Sequence, residues 1–117
     1  MFVKICGLSS EEHVRAAIAA GADAVGFVFA DSVRKVDPAH AAAITKSVPV
    51  GVKKVAVMLH PSSDEWHTVL QDFVPDVLQT DADDFEDLDV PAAVKCWPVY
   101  RDSNMVTGTE LNKVTGT

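Results

Sequence analysis

The sequence predicts an α/β fold in which parallel strands alternate with helices. Short apolar runs begin about every 20 to 30 residues, and each leads through a polar hinge into a segment with helix-capping residues. One of these runs, residues 24–29, is apolar throughout, as a strand buried on both faces of a parallel sheet must be. At 117 residues, the chain has the length of one domain or of part of one.

The first unit combines a strand over residues 2–6 with a helix that follows it closely. Ser9 and Glu12 have the spacing of a capping box, in which each side chain accepts a hydrogen bond from the backbone N–H of the other residue. Gly21 is predicted to end this helix, because glycine readily adopts the left-handed conformation that closes helices. The first strand and its helix are therefore joined by a short loop.

The second and third units repeat this plan. Strand two covers residues 24–29, and Asp37 is the predicted N-cap of a helix whose first residue is a proline. Strand three covers residues 54–59, and Ser62 with Glu65 forms the next capping box. The helix that follows has four large apolar residues at the spacing of one buried face: Trp66, Val69, Leu70 and Phe73.

The signals weaken towards the end of the sequence. Strand four covers residues 76–79, a weak helix surrounds Phe85, and strand five covers residues 94–100 although it contains a proline. Residues 102–117 are polar and rich in Thr, Gly and Asn. We therefore assign residues 1–101 to the folded portion and residues 102–117 to an irregular tail or truncation point.

Composition excludes several classes of function. The net charge is −7 and no cluster of Lys or Arg is interleaved with aromatic residues, so we predict no nucleic-acid partner. Neither a signal peptide nor an apolar stretch of membrane-spanning length is found, so we predict no membrane partner and a cytoplasmic location. Cys6 and Cys96 are too few for a disulfide framework and are expected to be reduced thiols.

Residues 81–89 form an acidic run that invites a metal-site interpretation. A calcium loop that began at Asp81 would need glycine and glutamate where Glu86 and Ala92 stand, so we predict a solvated acidic loop and first helical turn instead. Among the histidines, His60 alone directly follows a strand, where α/β proteins build their sites, but the sequence offers it no partner.

The first strand ends on Lys4-Ile5-Cys6-Gly7, which places a thiol where a strand leads into a helix. Strand alternation puts Lys4 and Cys6 on one face, so an ammonium group is expected near the sulfur, and a nearby cation favours the thiolate. From position alone, a buried cysteine that packs as a hydrophobe is the alternative. For Lys4, the alternative is a buried stem with its charged head at the rim of the sheet.

Three sequence blocks share a specific order and spacing: Lys-Ile-Cys-Gly-Leu-Ser at residues 4–9, a run at residues 21–29, and Ser-Val-Arg-Lys-Val at residues 32–36. With a looser match at residues 76–79, they resemble the opening of the phosphoribosylanthranilate isomerase family of tryptophan biosynthesis. The resemblance implies an α/β fold of the parallel TIM-barrel type, (βα)8, of which this chain holds about the first five strands.

The resemblance also implies an enzyme, a reaction and residue roles. The family converts an aminoaldose into an aminoketose by an Amadori rearrangement of N-(5-phosphoribosyl)anthranilate, a small phosphorylated substrate, without cofactor or metal. Cys6 is implied as the base that takes a proton from ribose C2. Arg34 is implied to hold the anthranilate carboxylate in bidentate fashion, and we place Lys4 with it among the substrate-binding residues. A solvent-exposed arginine is the alternative for Arg34.

The sequence departs from the family's pattern in three respects. The family commonly has histidine two positions after Gln79, and here Asp81 takes that place. The family's general acid, an aspartate on strand six, and its phosphate-binding loops after strands seven and eight have no counterpart here. Five barrel strands would have open edges, so we expect self-association or a complementary half-barrel. The alternatives are a non-catalytic half-barrel that only assembles and an open flavodoxin-like sheet that serves as a binding or assembly module.

Overall fold

The structure, a computed structural model, describes residues 1–29 and 36–100 and the backbone of residues 113–114. Strands and helices alternate along the chain, as predicted. In chain order the elements are β1 (Lys4–Cys6), α1 (Glu11–Ala19), β2 (Ala24–Val28), α2 (Pro38–Ile44), β3 (Lys53–Val57), α3 (Ser63–Asp72), β4 (Val77–Asp81), a 3-10 helix (Ala82–Asp87), β5 (Lys95–Tyr100) and β6 (Lys113–Val114).

The strands form one sheet in the order β1-β2-β3-β4-β5-β6. The first five strands are parallel to their neighbours, and β6 is antiparallel to β5. This order excludes the flavodoxin-like alternative, in which the first strand lies between the second and the third. Each strand instead lies beside the next one in sequence, which is how a βα barrel is built.

The two faces of the sheet pack differently because side chains alternate along each strand. One face packs against the helices and forms the main core, which includes Val25, Phe27, Ala56 and Leu78 from the strands and Val14, Ala41, Trp66, Val69 and Phe73 from the helical segments. The other face carries a smaller buried cluster formed by Ala24, Val55, Val77 and Trp97. We call this second side of the sheet the concave face.

An aromatic contact shows that the sheet is curled around its concave face. The ring centroids of Phe2, just before β1, and Trp97, in β5, lie 5.7 Å apart. In a flat sheet, strands four positions apart would be separated by about 19 Å, given about 4.8 Å for each neighbouring pair. The sheet therefore has the curvature of a partly built barrel.

The predicted capping box at Ser9 and Glu12 is wrong by one residue. Ser10 is the N-cap of α1, and its Oγ accepts a hydrogen bond of 3.2 Å from the backbone N–H of His13. The loop stays attached to the sheet through Leu8, whose N–H bonds to the carbonyl of Gly26, so the helix begins later than the sequence pattern suggested.

Other predicted helix ends are confirmed. Gly21 has φ of 91° and follows α1, where its N–H bonds to Ile18 and the next N–H bonds to Ala17, the pattern of a Schellman motif. Asp37 caps α2, and Ser62 with Glu65 forms a reciprocal capping box on α3. The predicted buried face of α3 is confirmed for Trp66, Val69 and Phe73, and Leu70 is partly buried against the same core.

Two differences concern the later part of the chain. Strand β4 runs to Asp81, beyond the predicted end at residue 79, because Asp81 pairs with Val99 of β5. In the segment predicted as an irregular tail, residues 113–114 form β6, and the remainder of that segment lies outside the described residues. None of the helices in the described parts of the chain is long and apolar enough to cross a membrane.

Candidate active site

Cys6 lies at the carboxyl end of β1, on the concave face of the sheet. It is exposed and unpaired, so the alternative of a buried structural cysteine is wrong. Its neighbour across the sheet is Gly26 in β2, and a Cβ atom added at Gly26 would lie 3.0 Å from the Cys6 sulfur. Gly26 therefore leaves the space that the thiol occupies.

The chain turns away from β1 immediately after the thiol. Gly7 has φ of 81°, in the left-handed region that favours glycine, and its N–H donates a 3.1 Å hydrogen bond to the carbonyl of Gly26. This bond continues the pairing of β1 with β2 beyond Cys6. The residues on both sides of Cys6 are therefore attached to β2, because Ile5 pairs with Val25 and Gly7 bonds to Gly26.

Lys4 lies on the same face as Cys6, and its ammonium group donates a hydrogen bond to Oε1 of Gln79 in β4. Burial lowers the pKa of Lys4, and the negative charge of a Cys6 thiolate acts in the opposite direction. The structure therefore brings together Lys4 and Cys6, as alternation along the strand predicted, and adds Gln79 to the pair. Arg34 lies outside the described residues.

His60, directly after β3, is held between two carboxylates. Its Nδ1 lies 2.8 Å from Oδ1 of Asp84, and its Nε2 lies 3.3 Å from Oδ2 of Asp81. Its backbone N–H also donates to Oδ2 of Asp84 at 3.0 Å, and its φ of 44° is unusual for a residue other than glycine. The ring is therefore fixed at the carboxyl edge of the sheet.

Sequence reasoning missed these contacts of His60. It predicted Asp81 and Asp84 as parts of a solvated acidic run, whereas both side chains are largely shielded from solvent, with relative exposures of 16% and 13%. The sequence pattern that could have predicted these contacts is the succession of β3 and β4 as consecutive parallel strands. Their carboxyl ends meet at one edge, so a histidine after the first and carboxylates after the second come together.

Hydrogen bonds keep Asp84 ionised. Burial by itself raises the pKa of Asp84, but hydrogen bonds from the Thr80 hydroxyl, at 2.7 Å, and from His60 outweigh it, and the pKa lies below its ordinary value. His60, Asp81 and Asp84 place possible metal ligands within 4.8 Å of one another. Since each carboxylate already faces a different nitrogen of the same ring, we interpret the group as a hydrogen-bonded clamp on His60.

We expect Asp84→Asn to destabilise the chain by about 1 kcal/mol at neutral pH, because charge-assisted bonds to the carboxylate are lost. The folded pKa is depressed, so the carboxylate adds stability above the unfolded value of 3.8 and loses it as pH falls through the folded value. Urea unfolding at several pH values should show the difference from the parent shrinking below about pH 4.

The exposed neighbour Asp83 supplies the matched control, and Asp83→Asn should unfold like the parent at every pH. A destabilisation by Asp84→Asn that stays constant down to the acid limit would contradict the assigned role of the carboxylate.

A comparison with known protein families identifies the family of this chain. The model of the N-(5'-phosphoribosyl)anthranilate (PRA) isomerase family matches residues 3–103. The chain belongs to the PRA isomerase family. The matched region contains every strand from β1 to β5 together with Lys4, Cys6 and Gln79.

Two PRA isomerases of known name illustrate the match. The enzyme of Bordetella pertussis is 48% identical over 83 residues, which cover 70% of this chain and 38% of that protein. The enzyme of Streptococcus mutans is 40% identical over 108 residues, which cover 92% of this chain and 54% of that protein. The chain therefore spans about half the length of these PRA isomerases or less.

Solved PRA isomerase structures share the fold. The Thermus thermophilus enzyme superposes with a TM-score of 0.73 at 26% identity, over 92% of this chain and 55% of that one. A PRA isomerase in complex with reduced 1-(o-carboxyphenylamino)-1-deoxyribulose 5-phosphate gives a TM-score of 0.65 at 29% identity, over 78% of this chain and 44% of that one. The predicted TIM-barrel type is confirmed, with β1 to β5 as its strands.

The resemblance to the family predicts a histidine at the end of β4, and this chain has Asp81 there. Asp81 occupies the histidine position, and its carboxylate lies 3.3 Å from Nε2 of His60. His60 itself follows β3.

Proposed function

We propose that this chain is the N-terminal portion of a PRA isomerase that acts in tryptophan biosynthesis. The substrate is N-(5'-phosphoribosyl)anthranilate, whose ribose ring opens as an aminoaldose becomes an aminoketose. The observation that carries the proposal is the exposed thiol of Cys6 at the carboxyl end of β1, in a region matched by the family. Sites of βα barrels are built at this end of the strands.

The proposed chemistry is a proton transfer between carbon atoms. An acid protonates the ring oxygen while a Schiff base forms, and a base then removes the proton from C2 of the ribose. The Cys6 thiolate is the proposed base. After it takes the C2 proton, the electron pair of the C–H bond forms the C1–C2 double bond of an enolamine, and the protonated imine nitrogen takes up the electron pair of the former C=N bond. Protonation of C1 and loss of the proton from the C2 hydroxyl then give the aminoketose. No oxidant or reductant is needed, and we propose no cofactor or metal.

The remaining sequence-based roles stay part of the proposal. Lys4 is proposed to bind substrate and, as an ammonium next to Cys6, to favour the thiolate. Arg34 is proposed to hold the anthranilate carboxylate through its guanidinium fork. The acid and the phosphate loops belong to strands six to eight of the family, outside the region that this chain matches.

We further propose that a complementary half-barrel, or a second copy of this chain, covers the concave face. Phe2 and Val3 beside the β1 edge are 57% and 38% exposed. The Nε1 donor of Trp97 is buried on this face with no acceptor among the described residues, and barrel strands beyond β5 would be placed to supply one. We keep residues 1–101 as the barrel portion and a cytoplasmic location as parts of this proposal, and we place the truncation point of the barrel in residues 102–117, of which residues 113–114 pair with β5 as β6.

The function is tested by assembling a whole barrel. This chain is co-expressed with the segment of the Streptococcus mutans relative that supplies strands six to eight, and consumption of substrate is followed by the fluorescence of its anthranilate ring. We expect turnover by the assembled pair and little by this chain alone, because the acid and the phosphate loops come from the added segment. A folded, assembled pair that fails to convert the substrate would refute the proposal.

A further inference from the structure

The Lys4 ammonium is held inside a largely apolar face of the sheet. Ala24, Val55, Val77 and Trp97 form the buried cluster of the concave face, and Lys4 is half-buried beside it. A partly buried ammonium loses hydration and needs a hydrogen-bond acceptor in exchange. Among the described residues, no carboxylate forms an ion pair with Lys4, and Oε1 of Gln79 accepts its hydrogen bond.

We propose that Gln79 is a positioning residue, which holds the Lys4 ammonium beside Cys6 on the concave face and thereby makes the thiol more reactive. A role of Gln79 in catalysis rests on the proposed function, whereas its effect on the reactivity of the Cys6 thiol does not. The contact joins residues 75 positions apart in the sequence, and it exists because the curled sheet brings β4 opposite β1.

The electrostatic argument has two steps. Burial lowers the pKa of Lys4, which favours the neutral amine, and an acceptor that bonds the ammonium opposes this. The charge of a Cys6 thiolate favours the charged form of Lys4, and the two opposite charges attract each other, so the position of the ammonium bears on how the thiol reacts. Without the Gln79 oxygen, the lysine would lose its proton more easily and would also lose its fixed position.

Other charged groups at this face lie at its two ends. Strand β2 presents Ala24 and Gly26 to the pair, neither of which titrates. Among the described side chains, the other titratable groups near this face are Asp81 with His60 at the carboxyl edge, Lys53 and Lys95 at the amino edge, and Asp23, whose carboxylate accepts the N–H of Val3. None of these forms an ion pair with Lys4 within the described residues.

The inference is tested by measuring how fast iodoacetamide alkylates Cys6 as a function of pH. Parent, Gln79→Met, Lys4→Met and the double variant are compared, because methionine keeps the length of glutamine and removes the acceptor. Mass spectrometry of tryptic peptides reports Cys6 and Cys96 separately, so Cys96 is an internal control. Gln71→Met makes the same change at an exposed site on α3, and circular dichroism checks the fold of each variant.

We expect Gln79→Met to slow alkylation of Cys6 near neutral pH by roughly 3- to 10-fold. Cys96 should be unaffected, and Gln71→Met should match the parent. In the Lys4→Met background, Gln79→Met should have no further effect, because its influence passes through the ammonium.

Two results would overturn the inference. One is an unchanged rate of Cys6 alkylation in folded Gln79→Met protein. The other is an equal slowing of Cys6 alkylation by Gln79→Met in the presence and in the absence of Lys4. If Gln79→Met does not fold, Gln79→Leu replaces it: leucine also removes the acceptor and should slow alkylation of Cys6, and an unchanged rate would equally refute the inference. The measurement needs no turnover, so a failure of the isomerase assignment leaves it intact, and its own failure leaves that assignment standing.

Discussion

Alanine at Cys6 should lower kcat by about 10²- to 10⁴-fold in every form of the protein that converts N-(5'-phosphoribosyl)anthranilate. The side chain is exposed at the carboxyl end of β1, so its removal deletes the proposed base without opening a cavity in the core. The measurement is the rate of substrate consumption at saturation, made on an assembled barrel, with circular dichroism to show that the fold is retained.

Cys96→Ala is the matched control. Cys96 lies on the helix-facing side of β5, where it pairs with Leu78, and burial raises the pKa of its thiol. We expect the Cys96 variant to turn over substrate at the parent rate. If Cys6→Ala protein worked as fast as the parent, the mechanism would fail and a non-catalytic half-barrel would become the better description.

A second pair of variants separates loss of the thiol from its displacement. Gly26→Ala would place a methyl group 3.0 Å from the Cys6 sulfur, so the sulfur must move while its chemistry is retained. We expect a loss of about tenfold or more in kcat, because proton transfer depends on the position of the base. Gly51→Ala, where an added Cβ meets nothing within 4 Å, should leave the rate unchanged.

Alanine at Phe73 should cost about 3 to 5 kcal/mol of unfolding free energy. The side chain is 1% exposed, and its ring centroid lies 5.4 Å from that of Phe27 and 5.3 Å from that of Phe29. Lys54 also places its ammonium 5.6 Å from the ring centroid. Since small domains have only about 5 to 15 kcal/mol in total, this one change should remove much of the stability.

The measurement for Phe73→Ala is denaturant unfolding followed by circular dichroism. Val50→Ala removes apolar atoms from a fully exposed side chain, and we expect it to unfold within about 0.5 kcal/mol of the parent. Should Phe73→Ala also remain within that margin, the packing of α3 against β2 could not be the main support of the helix-facing core.

Much of the fold follows from local patterns in the sequence. The Ser62 and Glu65 capping box, the end of α1 at Gly21 and the positions of the strands each depend on residues within a few positions of one another. The error at Ser9 arose at this same scale, because Ser10 has an equally suitable side chain. Local signals choose between such neighbours poorly, and the hydrogen bond from Leu8 to the sheet decided the outcome.

The features of the candidate site also fall into two groups, those that local sequence determines and those that depend on the tertiary structure. The sequence by itself determined that Cys6 ends the first strand and that Lys4 shares its face, because alternation along one strand fixes both. Only the tertiary structure decided that Gln79 holds Lys4 and that Asp84 holds His60, across 75 and 24 residues of sequence. These contacts depend on the curvature of the sheet and on which strand ends it brings together. That curvature arises from the packing of all the strands and helices at once, so no local pattern encodes it.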